Sequence, residues 1–376
     1  MLTLPGQPIY QHPVPLDIAI PPPYKIDLSW SACTDCAHAW QPEFDDALLE
    51  RIYRSHYYTP APDGIALTFR NDFFLELEEF GLLRPRDVLL EIGASNGDVL
   101  SELKMRTGAG RAYAFEPNVE NAEIAKQRGL DVKECFFGQD VAGQNLELAD
   151  MIYARHVIEH VFEFNDFFSG INVASTQTAD LILETPSLDF HAAQSSTAPF
   201  HIEHVHVFSL RSLARLASLH GWILARGAVT ANGNLIAAFR RIAVSNSEEN
   251  DVDIASPALD GMRRSVTQQK EELRKRFLDC DPLIIWGAGS TGVNFVNDIG
   301  REPDFWTDGN PNKIGKKFVG LDTKIVDPVF AFREVQSGAI ENSTLVIASS
   351  FINEILPHVR ELGWKGEVLD FVGVRL

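Results

Sequence analysis

Apolar residues fall along this chain in short runs, spaced regularly and separated by amphipathic stretches of helical length. The pattern is clearest between residues 87 and 241. Strand-length runs occur at 87–92, 111–115, 131–135, 150–154 and 180–185, followed by 222–229 and 234–241. Helical spacing fills the intervals at about 97–106, 118–128, 161–175 and 209–220. Such alternation predicts a doubly wound parallel sheet with helices on both faces. The last two runs are separated only by Thr230-Ala-Asn-Gly233, a hairpin signal, so the sheet is expected to finish on an antiparallel pair.

The flanks read differently. Residues 1–30 hold Pro5, Pro8, Pro13, Pro15, Pro21, Pro22 and Pro23, which favour extended segments over helix. Helices are expected at 43–58 and 65–80, the second with Ile65, Phe69, Phe73, Phe74 and Leu77 on one face as core. Residues 244–258 are acidic, polar and aperiodic, and read as a linker. A charged helix over 259–279 leads into a second alternating unit, with strands at 283–286, 303–307, 344–348 and 367–371. The expected division is therefore an N-terminal module (1–64), a central α/β domain (65–243), a linker (244–258) and a smaller C-terminal Rossmann-like α/β domain (259–376).

Composition narrows the function classes. The 376 residues carry a net charge of −19, which leaves no basic stripe to neutralise nucleic-acid phosphates. No apolar run approaches the ~20 residues of a spanning helix, and no basic segment followed by an apolar one opens the chain, so a cytoplasmic location is expected. Cys33, Cys36, Cys135 and Cys280 are too few and too scattered for a disulfide framework. Cys33-Thr-Asp-Cys36 is half of a tetrahedral zinc set. With no second cysteine pair nearby, and only His12 and His38 as further candidates, zinc is not expected to fill it.

Candidate chemistry starts with Asp87-Val-Leu-Leu-Glu-Ile-Gly-Ala-Ser-Asn-Gly-Asp-Val-Leu100, a buried strand running into a glycine turn and a helix. In open α/β sheets ligands bind beyond the carboxyl ends of the strands. Glu116 ends the next strand, where its carboxylate can accept both hydroxyl hydrogens of a ribose. The turn reads Gly-x-x-x-Gly, so the Gly-x-Gly-x-x-Gly dinucleotide fingerprint is absent and an adenosine ligand without a pyrophosphate is favoured.

Two histidine-rich stretches follow. His156-Val-Ile-Glu-His160 has the spacing of a zinc-protease signature, but it follows a strand directly instead of lying on a long helix. Phe200-His201-Ile-Glu203-His204-Val-His206 suits either a metal site or an acid–base site built on a neutral imidazole.

These residues resemble a known family. Glu91-Ile-Gly-Ala-Ser-Asn-Gly97 is similar to the S-adenosylmethionine motif of class I methyltransferases. That resemblance implies cofactor contacts from Glu91, Gly93, Ala94, Asn96, Gly97, Glu116, Pro117 and His156, with S-adenosyl-L-methionine as the cofactor. A narrower resemblance, to the three-domain nucleotide-activated ketosugar C-methyltransferases, covers nearly the whole chain. It rests on the Cys-x-x-Cys module, the Glu203-His204 pair before Phe208-Ser-Leu210, and Asp308-Gly-Asn-Pro-Asn-Lys-Ile-Gly315 in the last domain. It implies His204 as the base that generates an enolate, Glu203 orienting it, Tyr58 as a catalytic tyrosine, Tyr57 and His201 near the sugar, and a small-molecule partner that is a nucleotide sugar of deoxysugar biosynthesis.

This chain has His201 and Ile202 where that family has tyrosine and histidine, and it lacks the family's first cysteine pair. Three alternatives accompany the reading. The first is an O- or N-methyltransferase using the same site. The second is an NAD(P)-binding oxidoreductase built on Gly287-x-Gly289-x-x-Gly292, although that domain is expected instead to help cradle the nucleotide sugar. The third is a non-catalytic binding protein that keeps the fold.

Overall fold

The computed structural model describes residues 2–18, 20, 22–54, 65–143, 146–194, 196–241, 259–278, 280, 282–336, 343–349 and 352–376. The expected linker at 244–258 and both candidate tyrosines, Tyr57 and Tyr58, lie outside them.

At the N-terminus, β1 (Leu2–Pro8), β2 (Lys25–Ala32) and β3 (Ala39–Trp40) form an antiparallel sheet, followed by α1 (Asp46–Arg54) and α2 (Ile65–Glu79). The central unit then runs through β4 (Val88–Ile92), α3 (Asp98–Thr107), β5 (Arg111–Phe115), α4 (Val119–Gln127), β6 (Asp131–Lys133), α5 (Gln139–Ala142) and β7 (Ala149–Arg155). It continues with α6 (Phe164–Ala174), β8 (Ser175–Pro186), α7 (Leu188–Ala193), β9 (His206–Val207), α8 (Leu210–Leu219), β10 (Trp222–Val229) and β11 (Asn234–Arg241).

Seven of these strands form the central sheet in the order β10-β11-β8-β7-β4-β5-β6. The β4, β5, β6, β7 and β8 pairings are parallel, and β11 runs antiparallel between β8 and β10. The expected closing hairpin is therefore present, tightened by Thr230 N–H to the Asn234 carbonyl at 2.8 Å. β4 is buried at all five positions, as a strand covered on both faces must be. One face packs Leu90, Ile92, Ile152 and Leu181 against α6 and α8; the other packs Leu89, Met151 and Ile182 against Phe73, Phe74 and Leu77 of α2.

β9 departs from the sequence reading. No strand is expected at residues 206–207, yet they pair with β3 (Ala39↔Val207, Trp40↔His206) and complete the N-terminal sheet as β1-β2-β3-β9. A two-residue strand made entirely by a distant partner leaves no local periodicity to read.

The last unit comprises α9 (Leu259–Phe277), β12 (Leu283–Trp286), α10 (Ser290–Ile299), β13 (Phe305–Thr307), β14 (Ile325–Val326), α11 (Pro328–Gln336), β15 (Thr344–Ile347), α12 (Ile352–Glu361) and β16 (Glu367–Asp370). Its five strands are all parallel, in the order β14-β13-β12-β15-β16.

Candidate active site

The turn after β4 has the backbone of a close-approach loop. Gly93, Ser95 and Gly97 all have positive φ, at 77°, 48° and 75°. A Cβ on Gly93 would meet Val157 Cγ2 at 2.5 Å, and one on Gly97 would meet Leu130 Cδ1 at 2.4 Å and Ala125 Cβ at 2.9 Å, so only glycine fits either position. Gly93 N–H donates to the Phe115 carbonyl at 2.8 Å. Glu116, at the tip of β5, accepts from Ser95 N–H at 2.7 Å and Asn118 N–H at 2.8 Å. Burial pushes its carboxyl up against the pull of those two donors.

The first turn and the acid of the second strand thus share one cradle, the arrangement that suits an adenosine. Ala94 and Asn96 lie in the same turn, Asn96 accepting from Asp98 N–H at 3.1 Å, and Pro117 directly follows Glu116. Glu91 is deeper. It is buried in β4 beside Tyr153 and Arg155, with its carboxyl well above the ordinary range because of burial.

Val157 links this cradle to the second histidine stretch, since it fills the space beside Gly93. His156 sits at the end of β7 with φ 52°. Its Nδ1 is 3.3 Å from Glu159 Oε1, its Nε2 3.6 Å from Glu184 Oε1, and its ring stacks on Phe69 at 5.8 Å. Burial works against charge on this ring, but the bonds to Glu159 and Glu184 outweigh it and lift His156 to about 9. Glu184, in β8, is pulled down to about 2 against its own burial by Arg155 and His156, and it also accepts from Asn234 Nδ2 at 3.0 Å. Residues 158–160 form a short 3₁₀ turn, not part of the following helix.

The 201–206 segment closes over this turn. His204 and His160 lie 4.8 Å apart between ring centroids, and His201 and His204 3.8 Å apart. Two backbone carbonyls fix the rings: Pro199 for His204 Nδ1 at 2.9 Å and Glu203 for His160 Nδ1 at 2.7 Å. A carbonyl only accepts, so both rings carry their proton on Nδ1 and their lone pair on Nε2. The bond that orients His204 comes from the Pro199 carbonyl, and the carboxylate paired with its Nε2 is Glu159, at 4.0 Å. Burial, reinforced by His201 and His160, holds His204 well below the ordinary histidine range, and burial lifts Glu203 to about 7.

The sequence reading missed what holds this segment in place. Buried Gln41 donates through Nε2 to the carbonyls of His201, Ile202 and His204 at 3.2, 3.1 and 2.9 Å, and its own N–H reaches the Val205 carbonyl at 2.9 Å. It also missed Glu184, for which an acid inside the apolar run Leu181-Ile-Leu-Glu184 was the available signal.

Among the described residues, Glu159, His160 and His204 are the group whose ligand atoms lie close enough for a metal ion, within 4.8 Å of one another. Cys33 and Cys36 are free thiols in the β2–β3 turn and belong to no such group. In the C-terminal unit, a Cβ on Gly287 would strike the Ala348 carbonyl at 2.4 Å and one on Gly292 the Gly287 carbonyl at 2.1 Å. Close packing therefore accounts for two glycines of that fingerprint, and only Gly289 faces open space.

Comparison with known proteins agrees with the cradle. Residues 67–224 match the family model described as a methyltransferase domain. No curated protein matches the chain. Similar solved structures include an S-adenosylmethionine-dependent methyltransferase from Aquifex aeolicus (16% identity, 52% of this chain and 98% of that one, TM-score 0.38). Others are a geranyl diphosphate C-methyltransferase from Streptomyces coelicolor (13%, 52% and 97%, 0.38) and a 1,6-didemethyltoxoflavin N1-methyltransferase from Burkholderia thailandensis (16%, 56% and 98%, 0.35). The family match spans the Gly93–Gly97 turn, Glu116 and the 3₁₀ turn at 158–160, so residues 67–224 of this chain form a methyltransferase domain.

Proposed function

We propose that this enzyme C-methylates a nucleotide-activated ketosugar, with His204 taking the proton from the carbon beside the carbonyl. The observation that carries the reading is the meeting of Glu203-His204 with His160 next to the donor turn, under a lid supplied by the N-terminal sheet. Bound S-adenosylmethionine supplies an electrophilic methyl group on a cationic sulfur. The chain supplies the rest. Gly93 and Gly97 let backbone approach the donor, and Glu116 is placed to take the ribose hydroxyls after releasing Ser95 or Asn118. His204 holds a lone pair on Nε2 in a dry pocket, where orientation and a fixed proton acceptor contribute most. His201, whose ring lies against His204, is placed to contact the sugar. Ile202, at the position where the resembled family has histidine, is buried in the N-terminal core and cannot contact an acceptor there.

The test is mass spectrometry after incubation with isotopically labelled S-adenosylmethionine and a panel of nucleotide sugars. A ketosugar product with the label on carbon, accompanied by deuterium uptake at that carbon without the donor, supports the proposal. A label on oxygen or nitrogen, or no product from any sugar, overturns it. For His204→Ala, turnover should fall by ~10²–10⁴, the range expected of a general base.

A further inference from the structure

Glu159 has no part in the chemistry proposed above, yet its carboxylate is buried in the pocket. Its side chain is 1% exposed, carried on the 3₁₀ turn after β7. Oε1 lies between His156 Nδ1 at 3.3 Å and His204 Nε2 at 4.0 Å; Oε2 is buried and accepts no hydrogen bond. A buried carboxylate oxygen without a partner is costly, so its place needs a reason. The tautomer of His204 supplies one. With Nδ1–H on the Pro199 carbonyl, the lone pair on Nε2 faces the carboxylate. That contact is unfavourable while the ring is neutral and becomes favourable once Nε2 carries a proton. An interaction gained only after proton transfer lowers the barrier to that transfer.

We propose that Glu159 is the positioning residue for proton abstraction, its carboxylate, 4.0 Å from His204 Nε2, set to stabilise by charge the imidazolium that forms when His204 takes the proton. The inference rests on reading His204 as the base. In the step itself the acceptor's C–H bond breaks, its electron pair stays on carbon for the incoming methyl group, and the proton goes to His204 Nε2; no oxidant or reductant is needed. The groups facing His204 are His201 on its own segment, and Glu159 and His160 on the 3₁₀ turn. Behind Glu159, His156 bridges to Glu184. A divalent cation held by Glu159, His160 and His204 is the rival occupant, but it would compete with His156 for the same carboxylate.

The experiment follows ¹⁵N-histidine spectra of the full-length protein against pH in wild type, Glu159→Gln and Glu159→Asp, with His204→Gln to assign the resonances. In wild type, His204 should show the Nδ1–H tautomer and protonate within the folded pH range. In Glu159→Gln its midpoint should fall by at least half a pH unit or leave the folded range, with Glu159→Asp between the two. An Nε2–H tautomer, a wild-type ring that stays neutral until acid unfolding, or a midpoint unmoved in folded variants would overturn the proposal. So would one equivalent of divalent metal in protein purified without chelator. A Glu159 that only supports the fold would lower the melting temperature and leave the midpoint in place. If the midpoint moves but no panel sugar is methylated, the acceptor assignment fails and the Glu159–His204 coupling stands. If a sugar is methylated and the midpoint is unmoved, the coupling alone fails.

Discussion

At Glu203, burial lifts the carboxyl to about 7 from an ordinary 4.5. An acid raised on folding keeps a proton that the unfolded chain releases, so stability is lost as pH rises from about 4.5 to about 7 and is level above that. The loss amounts to about 3 kcal/mol. Glu203→Gln keeps the shape without the charge. Its urea midpoint should match wild type at pH 4.5 and exceed it at pH 8 by the equivalent of ~2–3 kcal/mol; parity at pH 8 would show a carboxylate that ionises normally. Glu184 cannot mimic this result. Arg155 and His156 hold it at about 2 despite its burial, so its contribution is present above about 4.5 and lost progressively as pH falls from there through about 2. The cradle gives two further expectations. Gly97→Ala adds both a positive-φ penalty and a contact at 2.4 Å with Leu130, and should cost ~2–4 kcal/mol in denaturant unfolding. Glu116→Ala removes a charged acceptor worth ~1.5–3 kcal/mol, so calorimetry should show S-adenosylmethionine binding weakened by at least tenfold.

Between elements, the decisive contact is the one that joins β3 to the 201–207 segment. Gln41 donates to three carbonyls of this segment; those of His201 and His204 also accept from His204 N–H and Trp30 Nε1–H, whereas that of Ile202 relies on Gln41. Gln41→Leu should therefore cost ~1–3 kcal/mol in stability, and it should broaden the His201 and His204 resonances by freeing the loop; unchanged spectra would show that β9 pairing holds the loop alone. This contact also marks the limit of what the sequence made legible. Strands such as Val88–Ile92 and Leu181–Leu183 were readable because a strand covered on both faces must be continuously apolar. Gly93, Gly97 and Glu116 were readable because turn chemistry is local. Gln41, β9, and the pairing of His204 with Glu159 were not. Each depends on residues brought together from distant parts of the chain, and a lone glutamine or a two-residue strand carries no period.

Across the whole molecule, the N-terminal sheet touches both α/β units. β9 belongs to it, Val14 pairs with Lys317 of the C-terminal unit, and Tyr24 lies over Gly320. A second bridge pairs Lys317 with Lys324 within the C-terminal unit, and the chain as a whole carries a net charge of −19. The overall field acts on the two reactants with opposite sign. S-adenosylmethionine is a net cation and is drawn in, whereas the proposed nucleotide-sugar acceptor would be an anion and would be repelled. Salt screens both effects over a Debye length of ~10 Å at 0.1 M. Raising ionic strength from about 10 to about 200 mM should then raise kcat/KM for a nucleotide-sugar acceptor and lower it for the donor, each by roughly two- to tenfold. A neutral acceptor would leave the first quantity flat, because it carries no charge for the field to act on. Stopped-flow or initial-rate kinetics at the two salt concentrations, with each reactant varied in turn, therefore reads the charge of the natural acceptor without first knowing its sugar.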